Sequence, residues 1–245
     1  MTVVIVGGTL QARRLAAELN ERGVRVVSTL AGRTATPAEV AGEVRVGGFG
    51  GTAEMRDWLL AEGAVALIDA AHPFAAAMHR RCAVVAQEAG VPLLRLSRAS
   101  WADRPDAEGW TWVDTHDEAA AAVARTPALI TVGKQGAAAY AHIDGAVLRM
   151  TELPADPLEG LAEVLLQRGP FTIDGERATF TELGIQTLVT KDSGGDETSA
   201  KLDVAAELGC AVVVIRRPAT PGVPSVTAIG EALEWLENHG FIPPA

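Results

Sequence analysis

The sequence predicts an α/β fold of two doubly wound lobes, each built on a parallel sheet. Two observations carry that expectation. Short β-branched runs alternate with amphipathic helical patterns along the whole chain, and the first run ends in a Gly-Gly turn that opens a helix. Length agrees, because 245 residues at roughly 100 to 200 per domain make one large or two small domains.

In the first half the strands are expected at VVIV (3–6), VRVVST (24–29), VRV (44–46), VALIDA (65–70) and PLLRL (92–96). Between them Ala12, Leu15, Ala16 and Leu19 recur at helical spacing, as do Phe74, Met78, Cys82, Val85 and Ala89, so each set is one buried stripe. Residues 98–113 break the alternation with Pro, Gly, Asp and three Trp, which suggests a linker or domain edge. Beyond it, Thr115 and Glu118 form a capping box, and Asp156, Pro157 and Glu159 are read as the start of a helix carrying Leu158, Leu161 and Leu165. Further strands are expected at 128–132, 146–150, 187–190 and 211–215. A last helix buries Ile229, Ala232, Leu233 and Leu236 and stops at Gly240. The expected lobes are therefore 1–113 and 114–245, both Rossmann-like, with an active-site cleft between them.

Composition excludes several classes. At 48% hydrophobic and 21% charged the chain is no disordered tail, collagen or coiled coil. A formal charge of −10 repels nucleic acid and anionic lipid, while a local basic patch can still attract a small anion. No apolar run reaches the roughly 20 residues of a membrane helix, and no leader pattern opens the sequence, so a soluble cytoplasmic protein is expected; a monomer is the default expectation, with an oligomer left open. Cys82 and Cys210 stand far apart without metal-ligand spacing. They read as small core residues, and no metal site is expected. Trp101, Trp110 and Trp112 are read as packing the seam between lobes, Trp58 and Trp235 as core.

Chemistry concentrates after the strands. Gly7, Gly8 and Thr9 lead directly into a helix beginning near Gln11, where free amides and the positive end of the helix dipole favour a phosphate. After the second strand, where NAD enzymes usually place a carboxylate, the chain has Ala31, Gly32, Arg33 and Thr34. An arginine there suits a 2′-phosphate, so NADP is favoured over NAD. GGFGG (47–51) permits close backbone approach to a flat ring or a phosphate. His72, before Pro73 and Phe74, is an acid–base candidate, although a histidine satisfying local backbone groups is the favoured reading. In the second half, Lys191 precedes Asp192, Ser193, Gly194 and Gly195, with Thr198 and Lys201 opening a helix, and Lys134 and Gln135 follow another strand. With Arg14, these lysines suit a polyanionic ligand.

Taken together, GGTLQARRLA, LAGRT, VRVGGFGG, IDAAHPFA, GVPLLRL, RGPF and LVTKDSGG with a downstream AKL resemble the precorrin-6A reductase family, which includes the cobalt-precorrin-6A reductases, over essentially the whole length. The resemblance implies an NADPH-dependent oxidoreductase of cobalamin biosynthesis that reduces a carbon–carbon double bond of the precorrin-6A tetrapyrrole to give precorrin-6B. It implies that Gly7, Gly8, Thr9 and Gln11 hold the pyrophosphate and Arg33 the 2′-phosphate, with Gly48, Phe49, Gly50, His72 and Pro73 lining the ribose and nicotinamide end. Arg14, Lys134, Gln135, Lys191, Ser193, Gly194, Gly195 and Thr198 are then expected to face substrate carboxylates, and Lys201 to deliver a proton or stabilise charge. A reductase of another small anion, or a non-catalytic dinucleotide sensor, are the competing readings of the same residues.

Overall fold

The computed structural model describes residues 1–32, 39–154, 158, 160, 162–195 and 198–243. The chain begins with β1 (Thr2–Val6), α1 (Leu10–Glu21), β2 (Arg25–Leu30), β3 (Glu43–Val46), α2 (Thr52–Ala61), β4 (Ala64–Asp69), α3 (Ala76–Ala89) and β5 (Leu93–Leu96). It continues with β6 (Thr111–Val113), α4 (His116–Ala121), β7 (Ala128–Thr131), β8 (Ala146–Met150), β9 (Glu163–Leu166), α5 (Ile173–Glu182), β10 (Thr187–Lys191), α6 (Ala200–Glu207) and β11 (Ala211–Ile215). The last elements are β12 (Ser225–Val226) and α7 (Ile229–Asn238).

Two six-stranded sheets result, ordered β12-β5-β4-β1-β2-β3 and β6-β11-β10-β7-β8-β9. Every pairing is parallel. Each order reverses once, between β1 and β4 and between β7 and β10, the doubly wound Rossmann-like arrangement whose switch point opens a crevice beyond the carboxyl ends of the strands. Central strands are buried on both faces, as parallel sheets require: every residue of β1 is buried, and Leu188 and Val189 of β10 are fully so.

The compact units are residues 1–98 with 219–245, and residues 99–218. The expected lobes of 1–113 and 114–245 are corrected at both ends, and backbone pairing is the reason. Residues 99–113 belong to the second unit because β6 pairs with β11, Val113 opposite Ile215. The C-terminal segment belongs to the first because β12 pairs with β5 and Ala232, Leu233 and Leu236 of α7 pack with Leu15 and Leu19 of α1. Trp101 lies in the second unit's own core, with Trp110 and Trp112 packed against it. The helix expected from Asp156 is corrected only at its far end, where the described residues begin again. Asp156, Pro157, Glu159 and Leu161 lie outside the described residues, and Leu165 sits in strand β9 opposite Arg149, where pairing satisfies the outer edge of β8.

Two local features constrain the units. Gly7 holds φ at 122°, and a Cβ there would stand 2.6 Å from the Ala70 carbonyl oxygen, so the ends of β1 and β4 approach each other only with hydrogen at this position. In the second unit Arg149 Nη1 donates to Glu176 Oε2 at 2.9 Å, both side chains buried, with the guanidinium 4.1 Å from the Phe171 ring centroid. A buried pair is costly to break from one side, since the remaining charge has no partner. Glu176→Gln is therefore expected to destabilise the second unit by about 3 kcal/mol in urea unfolding, with most of the loss recovered by Arg149→Met combined with Glu176→Leu. Gly7→Ala is expected to cost ~3 kcal/mol or more, because positive φ and backbone overlap add; an unchanged unfolding midpoint would remove that constraint.

Candidate functional site

At the switch point of the first sheet, Thr9 caps α1: its hydroxyl accepts from the Ala12 amide at 3.2 Å and donates to the Ala70 carbonyl at 3.0 Å. The cap thus ties the turn to the end of β4 and leaves the amides of Leu10 and Gln11 at the open helix end. No acidic residue occupies the first turn of α1, so its positive end remains available to an anion. Gly8 is exposed, and a Cβ added there would meet only the Leu30 side chain, at 3.4 Å. Gln11 turns elsewhere, its side-chain amide donating to the Thr227 carbonyl at 2.9 Å. Arg13 reaches back to the Gly8 carbonyl at 3.2 Å, while Arg14 is exposed on α1. Arg33 lies outside the described residues.

The GGFGG turn is built differently from its sequence appearance. Phe49 is buried, 5.1 Å from the Trp58 ring, and the Arg45 guanidinium lies 4.0 Å over its face while donating to the carbonyls of Gly47 and Gly48. The phenyl ring is core, so only the backbone of Gly48 and Gly50, both exposed, is open to a ligand. Cation–π stacking fixes the turn rather than offering a stacking platform.

The loop after β4 is locked from beneath. Asp69, fully buried, accepts from the Ala71 amide at 3.3 Å and meets His79 Nδ1 at 2.7 Å and Arg95 Nε at 3.3 Å. His79 Nε2 lies 3.1 Å from the His72 carbonyl. Arg95 also donates to Thr220 and to the Pro221 carbonyl, binding the returning C-terminal segment. His72 Nδ1 accepts from the Phe74 amide at 3.2 Å, the local backbone role that the sequence allowed. Pro73 beside it is buried.

In the second sheet the turn after β7 starts with Gly133 at φ 75° and continues as a 3-10 helix over Lys134–Tyr140 rather than an α-helix. Lys134 pairs with Glu152 at 3.3 Å, and Gln135 is exposed. After β10, Asp192 is nearly fully buried and accepts from Ser100, the Trp101 amide and Arg217. Gly194 at φ 64° leaves no room for a Cβ beside the Ala99 carbonyl. The Gly195 carbonyl accepts from the Trp101 indole, and Thr198 donates to the Gly194 carbonyl. Ser193 is half-buried in the same loop. Lys201, only 7% exposed, donates to the Thr198 carbonyl at 2.9 Å and sits 4.9 Å from the Trp101 ring centroid. Burial holds the Lys191 ammonium below its ordinary range.

Sequence reasoning missed four side chains: Arg13, Arg45, His79 and His116. His79 carried no signal, because it interrupts an apolar stripe; Asp69 ten residues earlier marks it only in three dimensions. His116 opens α4, its Nδ1 3.2 Å from the Tyr140 hydroxyl.

Among the described residues no helix is long and apolar enough to cross a membrane. A family model described as Precorrin-6x reductase CbiJ/CobK matches residues 2–237. The precorrin-6A reductase of Rhodococcus erythropolis is 40% identical over 242 residues, covering 96% of each chain. The cobalt-precorrin-6A reductase of Priestia megaterium is 30% identical over 232 residues, covering 88% of this chain and 90% of its own. A solved structure of CobK precorrin-6A reductase superposes with a TM-score of 0.90 at 34% identity, covering 99% of this chain and 98% of that one. On sequence and on fold alike, over almost its full length, the chain belongs to the precorrin-6x reductase CbiJ/CobK family of oxidoreductases.

Proposed function

We propose that this protein reduces precorrin-6A to precorrin-6B in cobalamin biosynthesis, with NADPH as the reductant. One observation carries the cofactor half of this reading: the open, positively polarised end of α1 stands at the switch point of the first sheet, with Thr9 capping from within and no acidic side chain in the first turn. NADPH, when bound, supplies hydride to the macrocycle, and a proton adds at the adjacent carbon.

The chain's own residues then have distinct tasks. Gly7 brings the turn against β4, and Gly8 and Thr9 with the amides of Leu10 and Gln11 receive the pyrophosphate. Gln11 serves through its backbone, since its side chain holds Thr227. Arg33 pairs with the 2′-phosphate. Gly48, Gly50, His72 and Pro73 border the ribose and nicotinamide end, and Phe49 supports that border from the core. The substrate carries acetate and propionate carboxylates, and Arg14, Lys134, Gln135, Lys191, Ser193, Gly194, Gly195 and Thr198 receive them. Lys201 acts as a positioning residue, because its ammonium is spent on Thr198 and Trp101 within the loop.

Purified protein mixed with NADPH and metal-free precorrin-6A is expected to consume NADPH only when the tetrapyrrole is present. Consumption with unrelated acceptors would favour a broader reductase, and binding without turnover a sensor. Arg33→Ala is expected to raise the KM for NADPH by about 10- to 100-fold and leave that for NADH unchanged, the loss of a charge-assisted contact of roughly 1.5–3 kcal/mol. Lys201→Ala is expected to raise the tetrapyrrole KM while kcat falls little. A drop in kcat of about a hundredfold at constant KM would instead make it the proton donor.

A further inference from the structure

Sheet register places a second group of side chains at one level. Lys191 pairs with Ile215 across β10 and β11, and Ile215 pairs with Val113 across β11 and β6. His116 begins three residues beyond Val113, just past the carboxyl edge of the sheet at the level of Lys191. Tyr140 closes the 3-10 helix that follows β7, on the other side of the switch point, and its fully buried ring meets the imidazole edge-on at 5.9 Å. The imidazole rests on Gly136, where a Cβ would fall within 2.6 Å of three ring atoms. Any larger residue would expel the ring, so this chain leaves space for a histidine at that edge.

We propose that His116, seated on Gly136 and held by Tyr140 beside Lys191, anchors a substrate carboxylate and takes up a proton as it does so. This deepens the precorrin-6A reading and rests on it for the identity of the ligand, a macrocycle fringed with carboxylates. The Tyr140 contact accommodates both protonation states, since a phenol oxygen donates to a bare Nδ1 and accepts from a protonated one. Nε2 makes no hydrogen bond among the described residues and is the atom left to donate to a carboxylate. In the ligand-free protein, burial first and the Lys191 charge second hold His116 below its ordinary range, against Asp117, which favours the charged form. Lys134 on the 3-10 helix is occupied with Glu152, and Arg216 at the end of β11 with Asp114. An arriving carboxylate offsets Lys191 and favours imidazolium. The proton therefore comes from solvent, and affinity strengthens as pH falls through the interval between the free and bound titration points.

The test uses the full chain and uroporphyrin, a porphyrin carrying acetate and propionate groups, as the probe. Calorimetric titration at pH 7 in two buffers of different ionisation enthalpy is expected to show net proton uptake by the unaltered protein. Uptake should be largely lost in His116→Gln and reduced in Tyr140→Phe, with the probe binding about threefold to tenfold more weakly to each. NMR titration of His116 in the unaltered protein, which needs no variant to fold, is expected to show its midpoint rising by about one unit on saturation with the probe. An unmoved midpoint, unchanged uptake in His116→Gln, or no binding of the probe at all would overturn the assignment. Failure of the broader reading has a separate signature, absence of precorrin-6A turnover by the unaltered protein, because the porphyrin measurements involve no NADPH.

Discussion

The crossing of Gly7 over the end of β4 is the constraint on which the first unit depends. Parallel strands bring every carboxyl end to one edge, and the reversal of strand order between β1 and β4 opens that edge. What keeps the opening tight is a set of short contacts: the Ala70 amide on the Val6 carbonyl at 2.9 Å, the Gly7 amide on the Thr29 carbonyl at 3.1 Å, and Thr9 on Ala70. These fix the start of α1 relative to β4, so the helix dipole points at a defined place. The Asp69, His79 and Arg95 cluster beneath does the same for the loop carrying His72, and extends the restraint to Thr220 and Pro221. A buried carboxylate with several donors is stable only when all are present, which makes the support rigid and intolerant of single losses.

The second unit repeats the topology without repeating the device. Its switch point is followed by a 3-10 helix after β7, a shorter and less regular element whose aligned amides are fewer. Side chains frame this edge instead: Lys134 pairs with Glu152 and His116 meets Tyr140, while Asp192, Gly194 and Trp101 shape the loop after β10. The first switch point is thus bordered by the capped start of an α-helix, the second by side chains and a 3-10 helix.

Much of this was legible in sequence. The strands β1 to β5, β7, β8, β10 and β11 and the stripes of α1 and α7 follow from periodicity, because burial repeats with the geometry of the element itself, whereas β6, β9 and β12 are short edge strands that no such pattern marked. The Thr115 and Glu118 capping box is present as read, since its contacts span only three residues. Phe49 was different: four flanking glycines suggested an open loop, and Arg45 with Trp58 made it core. Lys201, expected to deliver a proton or stabilise charge, is buried beside Trp101, one hundred residues earlier in the chain.

The chain's order by itself settled the α/β class and the glycine turn into a helix at Gly7 to Thr9, which rest on neighbours a few residues apart, and the family resemblance, which rests on short motifs in a fixed order along the chain. Tertiary structure alone decided that residues 99–113 join the second sheet and 219–245 the first. It also decided that His79 serves Asp69 and that His116 rests on Gly136 beside Tyr140. Those outcomes depend on which strand edges and which buried charges meet across long stretches of chain. Hydrogen-bond pairing and desolvation act between places in space, and no local pattern records them.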